Sequence, residues 1–228
     1  MSVTSASVAY ARIEPLFRTV AWGIALVMPL TMWLSEVGNP LTYWQLHSPP
    51  GQKFYTLSKL FGLLGIGLMW LQLVSKLSSH VPGMRALWRQ SKVSHYRLGR
   101  LVLTTLLAHA LLFVIAASLR ADHLALKPMV PDFSVDFFTT AVSIGATALY
   151  LLLVAIFSVI FFLNSRRPML KWFHRMVYVS FIFGTVHSVL IGSETRSPLA
   201  LIWYCLLLSS FISVATTTLF RAKAIQRP

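Results

Sequence analysis

Apolar residues along this chain fall into six long blocks, separated by short stretches that are polar, basic or rich in helix breakers. Each block is about 20 residues long, the length an α-helix needs to cross a hydrocarbon layer at about 1.5 Å per residue. The pattern predicts spans at 16–34, 54–74, 98–119, 137–163, 169–191 and 198–220. Residues 1–15 are mixed and end at Pro15, which predicts a short tail or interfacial helix ahead of the first span. Gly38, Pro40, Pro49, Pro50 and Gly51 exclude a continuous helix over 35–53 and predict a loop folded over one face. From Lys76 to Arg97 the chain turns basic with Leu87 and Trp88 interleaved, an interfacial segment and not a span. The predicted fold class is all-α: one polytopic membrane domain over 1–228, a bundle of six transmembrane helices.

Composition strengthens this reading. Only 11% of residues are charged, against roughly 25% in a soluble domain. The net charge of +14 does not form the basic, aromatic-lined face that nucleic acid requires, so no nucleic-acid partner is expected and lipid is. The cations sit in the connections instead. With six spans, 15 of the 20 Lys and Arg fall on the side of the chain termini, among them Arg12, Arg18, Lys76, Arg97, Arg100, Arg166, Lys171, Arg175 and Arg221. Lys53, Lys59, Arg120, Lys127 and Arg196 fall opposite. The positive-inside rule then puts both termini in the cytosol, the expectation for an integral protein of a bacterial inner membrane. Cys205 is the single cysteine, so no intramolecular disulfide is possible. The N-terminus has no signal-peptide cleavage pattern.

Candidate chemistry enters with the histidines. HYRLGRLVLTTLLAH (95–109) and HRMVYVSFIFGTVH (174–187) each place one histidine near the start of a span and another 14 or 13 residues later. Ionisable residues inside a membrane are costly and point to function. The third and fifth spans run in the same direction, so His95 falls level with His174 and His109 with His187, the two levels about 20 Å apart. Zinc prefers four ligands at one height, with Cys or carboxylate among them. Two imidazoles per level suit a six-coordinate haem iron, which has no open position and favours electron transfer. The expectation is therefore two stacked b-type haems with His95, His174, His109 and His187 as iron ligands. The alternatives are one haem on His109 and His187 alone, because His95 lies at the membrane edge, or core histidines bonded to backbone. A 14-residue step returns to within about 40° on a helix, whereas a 13-residue step leaves about 140°. Either the fifth span is overwound or bulged, with Gly184 the obvious place, or the ligands leave it on different sides. His47, His80 and His123 fall in loops and read as surface residues.

HYRLGR at 95–100 followed by His109, with KWFHRMVY at 171–178 followed by His187, resembles the ferric reductase transmembrane domain, a superfamily that includes the NADPH oxidases. The resemblance covers roughly spans two to six, and its specific part is the four-histidine pattern. W-x-H-x-x-V-Y in span five is also similar to the haem-binding membrane subunit of the periplasmic methionine sulfoxide reductase system. The resemblance implies an inner haem on His95 and His174 and an outer haem on His109 and His187. Cytochrome b uses similar spacings, but its P-E-W-Y quinol-site motif is not found here. The chain departs from ferric reductases and NADPH oxidases in running only eight residues past Phe220, with no G-x-G-x-x-G. No flavin or nicotinamide domain is therefore expected within it.

Haem propionates need cations: Arg97, Arg100, Lys171 and Arg175 are candidates at the inner level, Lys59 and Arg120 at the outer, with orientation by charge alone the competing explanation. Lys59, inside span two, snorkels or neutralises a buried anion. Phe181, midway between His174 and His187, is a candidate for lying between two haems, or a packing residue. The expected activity is oxidoreductase-type electron transfer by a subunit that needs a partner. The donor would be a cytosolic flavoprotein reductase, free reduced FMN or quinol. The acceptor would be a ferric chelate, oxygen or a periplasmic reductase. A proton or ion transporter using the histidines and Lys59 is the rival of another class, weakened by the lack of carboxylates inside the spans; a purely structural subunit is the third.

Overall fold

A computed structural model of the chain describes residues 3–44, 48–81, 84, 92–134, 136–162 and 168–225, excluding the side chains of 3–12, 44, 92, 93, 161, 162, 168, 170, 171 and 221–225. All regular structure among these residues is helical. The first span is broken in register: α1 (Val3–Trp22) passes into a π-helical turn, Gly23–Val27, and then α2 (Met28–Val37). The others are α3 (Gln52–Ser78), α4 (Lys92–Ala121), α5 (Phe137–Phe162), α6 (Pro168–Ile191) and α7 (Pro198–Ile225). Among the described residues six helical segments are long and apolar enough to cross a membrane, the first running through α1, the π turn and α2.

Most boundaries fall within a few residues of the expected spans, with three informative differences. Pro15 lies inside α1 and does not end it; Thr19 Oγ1 donates to the Pro15 carbonyl. Helix α4 begins at Lys92, so His95 stands within a helix and not ahead of one. Of the two alternatives for the 13-residue step, a bulge at Gly184 is not observed, because α6 is α-helical from Pro168 to Ile191; the helical irregularity falls in the first span instead. There the π turn coincides with an outside donor: Trp203 Nε1 reaches the Ile24 carbonyl at 2.8 Å. The basic stretch 85–91 and the segment 163–167 lie outside the described residues.

The helices are organised as two antiparallel hairpins, α3/α4 and α5/α6, each closely packed along its length. Helix α7 and the first span close against α3, whose Leu68, Met69, Trp70 and Leu71 are buried with Trp203 and Leu207 of α7. Buried indole nitrogens are bonded, as an apolar solvent demands: Trp33 donates to the Thr56 carbonyl and Trp70 to Ser210. By contrast α4 and α6 barely approach one another by backbone. The hairpins touch through α3 and α6, and a gap is left between α4 and α6 that His109 and His187 line.

Candidate functional site: two histidine pairs between the hairpins

Across that gap the rings of His95 and His174 stand with centroids 6.4 Å apart at an interplanar angle of 78°. Those of His109 and His187 stand 6.3 Å apart at 70°. Contacts at both levels require α4 and α6 to run in the same direction. The first pair lies nearer the chain termini and is called the terminus-side pair; the second is the distal pair. With α6 unbroken, its 13-residue step leaves His174 and His187 about 140° apart around the axis, so the two histidines leave α6 on different sides and still find their partners.

The distal pair is fixed from behind. His109 Nδ1 lies 2.8 Å from the backbone carbonyl of Ser58 on α3, and His187 Nδ1 lies 2.7 Å from that of Ala141 on α5. A carbonyl can only accept, so each Nδ1 carries the proton and each Nε2 keeps a free lone pair. Ser58 closes its bond reciprocally by donating from Oγ to the His109 carbonyl at 2.9 Å. A glycine stands behind each ring: a Cβ on Gly62 would lie 3.0 Å from His109 Nδ1, and one on Gly145 would lie 2.5 Å from His187 Nδ1.

The terminus-side pair is held less tightly. His174 Nδ1 lies 3.3 Å from the Ala155 carbonyl, which Ser158 Oγ already occupies at 2.8 Å. His95 Nδ1 is buried without a hydrogen-bond partner.

A cavity opens at the distal level, lined by both distal histidines, Gly62 and Gly145, with apolar walls from Leu106, Phe113, Val142 and Leu149. Its lining also includes an ion pair. Glu194, in the short turn Ser193–Arg196 before α7, is 3% exposed. Lys59 Nζ lies 2.7 Å from its Oε1 and also donates to Ser193 Oγ. Oε1 has no directed hydrogen bond, so proximity of charge carries the pairing. Sequence gave one sign of it: a lysine inside a span needs an anion, and Glu194 is the acid between spans five and six. Over the same end the segment before α5 is laced down, with Tyr150 Oη donating to the Met129 carbonyl and Ser143 Oγ joined to both backbone groups of Asp132.

The remaining expected site residues divide. Lys59 does line the distal cavity, but its charge is met by Glu194. Arg120 bonds Gln52 Oε1 at 2.7 Å and lies over the Tyr55 ring. Arg97 and Arg100 are exposed on the turns after His95, and Arg175, one residue after His174, stacks on exposed Trp172 at 4.8 Å. The Lys171 side chain lies outside the described residues. Phe181 is fully buried against Phe211 of α7, 5.1 Å between centroids, and is not among the residues lining the distal cavity. His80 is exposed, as is His123, which bonds the Ala121 carbonyl; His47 is outside the described residues.

Among the described residues no three His, Cys, Asp or Glu side chains converge. The arrangement offers two separate two-imidazole positions, which suits a metal whose other ligands come from a planar cofactor better than one that needs four protein ligands. No protein-family model, curated protein or solved structure matches this chain.

Proposed function

We propose that this protein carries single electrons across a bilayer through two bis-histidine b-type haems, one held by His95 and His174 and the other by His109 and His187. The observation that carries the reading is the spacing of the rings. Two imidazoles sharing one metal at about 2.0–2.1 Å from each nitrogen, with about 1.1 Å from nitrogen to ring centre, stand about 6.3 Å apart when the bonds are collinear. Both pairs match that distance. Haem iron so ligated exchanges one electron and has no open position for substrate.

The residues of the chain do the rest. His109, His187 and His174 turn their bare Nε2 forward by donating Nδ1–H to a helix carbonyl, the usual support of a metal-bound imidazole. Leu106, Phe113, Val142 and Leu149 give the distal cavity an apolar wall. Arg97, Arg100 and Arg175, close in sequence to the terminus-side histidines, would supply the cations that propionates need. By the distribution of Lys and Arg, the terminus side is cytosolic. A cytosolic flavoprotein, reduced flavin or quinol would then deliver electrons there, and a ferric chelate, oxygen or periplasmic reductase would take them at the distal face.

The deciding experiment is an optical spectrum and haem assay on the purified protein. Two haems per chain with low-spin reduced bands are expected. Folded, colourless protein would overturn the reading, including its electron-transfer role.

A further inference from the structure

In each hairpin the carbonyl that receives a distal histidine belongs to residue i of the first helix, and the glycine behind the ring is residue i+4: Ser58 with Gly62 in SKLFG, Ala141 with Gly145 in AVSIG. A helical carbonyl at i already accepts the N–H of i+4, and its second lone pair points outward beside the side chain at i+4. In this same protein Thr105 Oγ1 occupies that position on the Leu101 carbonyl, and Thr218 Oγ1 on that of Val214. A residue with a Cβ at i+4 crowds an approaching ring; glycine leaves the lone pair open. The Cβ that glycine lacks would fall 2.5 Å from His187 Nδ1. At the terminus-side level i+4 from Ala155 is Val159, Ser158 competes for the carbonyl, and the bond to His174 lengthens to 3.3 Å.

We infer that Gly62 and Gly145 are positioning residues, a duplicated device that opens one helix carbonyl to each distal imidazole and thereby fixes its tautomer and ring orientation for ligation through Nε2. The inference rests on the haem reading only for what the imidazoles ligate; the tautomer stands on the protein alone. Loss of such support behind a metal-bound histidine weakens metal retention by about 10–100-fold. Gly62→Ala and Gly145→Ala should each release the distal haem to apomyoglobin faster by that factor, leaving the terminus-side haem at its original rate. Gly99→Ala, whose Cβ would meet the Gln72 side chain on the same pair of helices and no imidazole, should change neither rate.

A second measurement needs no variant in the hairpins. Nitrogen-15 spectra of histidine-labelled protein stripped of haem should show His109 and His187 protonated at Nδ1 with Nε2 bare. Unchanged haem release in both glycine variants, release matched by Gly99→Ala, or Nε2–H tautomers at His109 and His187 would each overturn the inference. If the purified protein binds no haem but shows the Nδ1–H tautomers, the haem reading fails and the carbonyl–glycine device stands.

Discussion

The two histidine levels share a ring spacing and differ in everything behind it. At the distal level both imidazoles donate to helix carbonyls at 2.8 and 2.7 Å with a glycine at each back. At the terminus-side level one bond is long and shared with a serine, and the other ring has none. Facing geometry is therefore set by where the hairpins sit, while support of each ring is set separately by whether the neighbouring helix offers an open carbonyl. The distal pair is built to hold one geometry. The terminus-side pair keeps freedom in its rings.

The largest effects test whether the levels are independent. On the proposed haem reading, His109→Ala and His187→Ala should each abolish the same haem and leave the other, and His95→Ala should remove only the terminus-side one, measured as haem per chain and by the reduced spectrum. Loss of different haems from His109→Ala and His187→Ala would dissolve the pairing and the comparison with it. Next comes the ion pair that lines the distal cavity. Lys59→Met leaves Glu194 buried without its counter-charge and should cost about 3–5 kcal/mol of stability, read by unfolding in detergent; adding Glu194→Gln should recover most of it. The comparison sharpens if the distal device can be moved. Val159→Gly with Ser158→Ala clears the Ala155 carbonyl and should slow release of the terminus-side haem by about 10-fold.

The smallest effect is a pH response confined to the distal loop. Hydrogen bonds from Ser134, side chain then backbone, hold the Asp132 carboxyl below the usual carboxylate range, and those from Thr139, backbone then side chain, do the same for Asp136. A depressed carboxyl stabilises the folded loop above its unfolded pKa of about 4, and that contribution is lost as pH falls through the lower folded value. Proteolysis of the loop before α5 should accelerate only below about pH 4, with the haem spectrum unchanged.

Much of this was legible from hydropathy. Six apolar blocks predict six helices because a bilayer leaves the backbone few other ways to satisfy its polar groups. Parallel running of the third and fifth spans then predicts which histidines meet. What stayed hidden was what stands behind the rings, since every residue has a carbonyl and Ser58 and Ala141 look like their neighbours. Gly145 in a charge-free span carries no mark until its four-residue offset from Ala141 is compared with that of Gly62 from Ser58. Glu194 reads as a loop acid because burial at a helix end depends on tertiary packing. The 13-residue step leaves open a distorted fifth span or ligands leaving it on different sides, and the regular α6 fits the second.

The gap between α4 and α6 bears on how the distal site is built. His109 is anchored within α3/α4, and His174 and His187 within α5/α6, each by a bond to its own hairpin. Each hairpin is contiguous in sequence, so each distal histidine and the carbonyl that receives it belong to one local segment of the chain. The two distal half-sites come from separate hairpins that meet where α3 packs on α6, and on the haem reading the cofactor would add a second link across the open side.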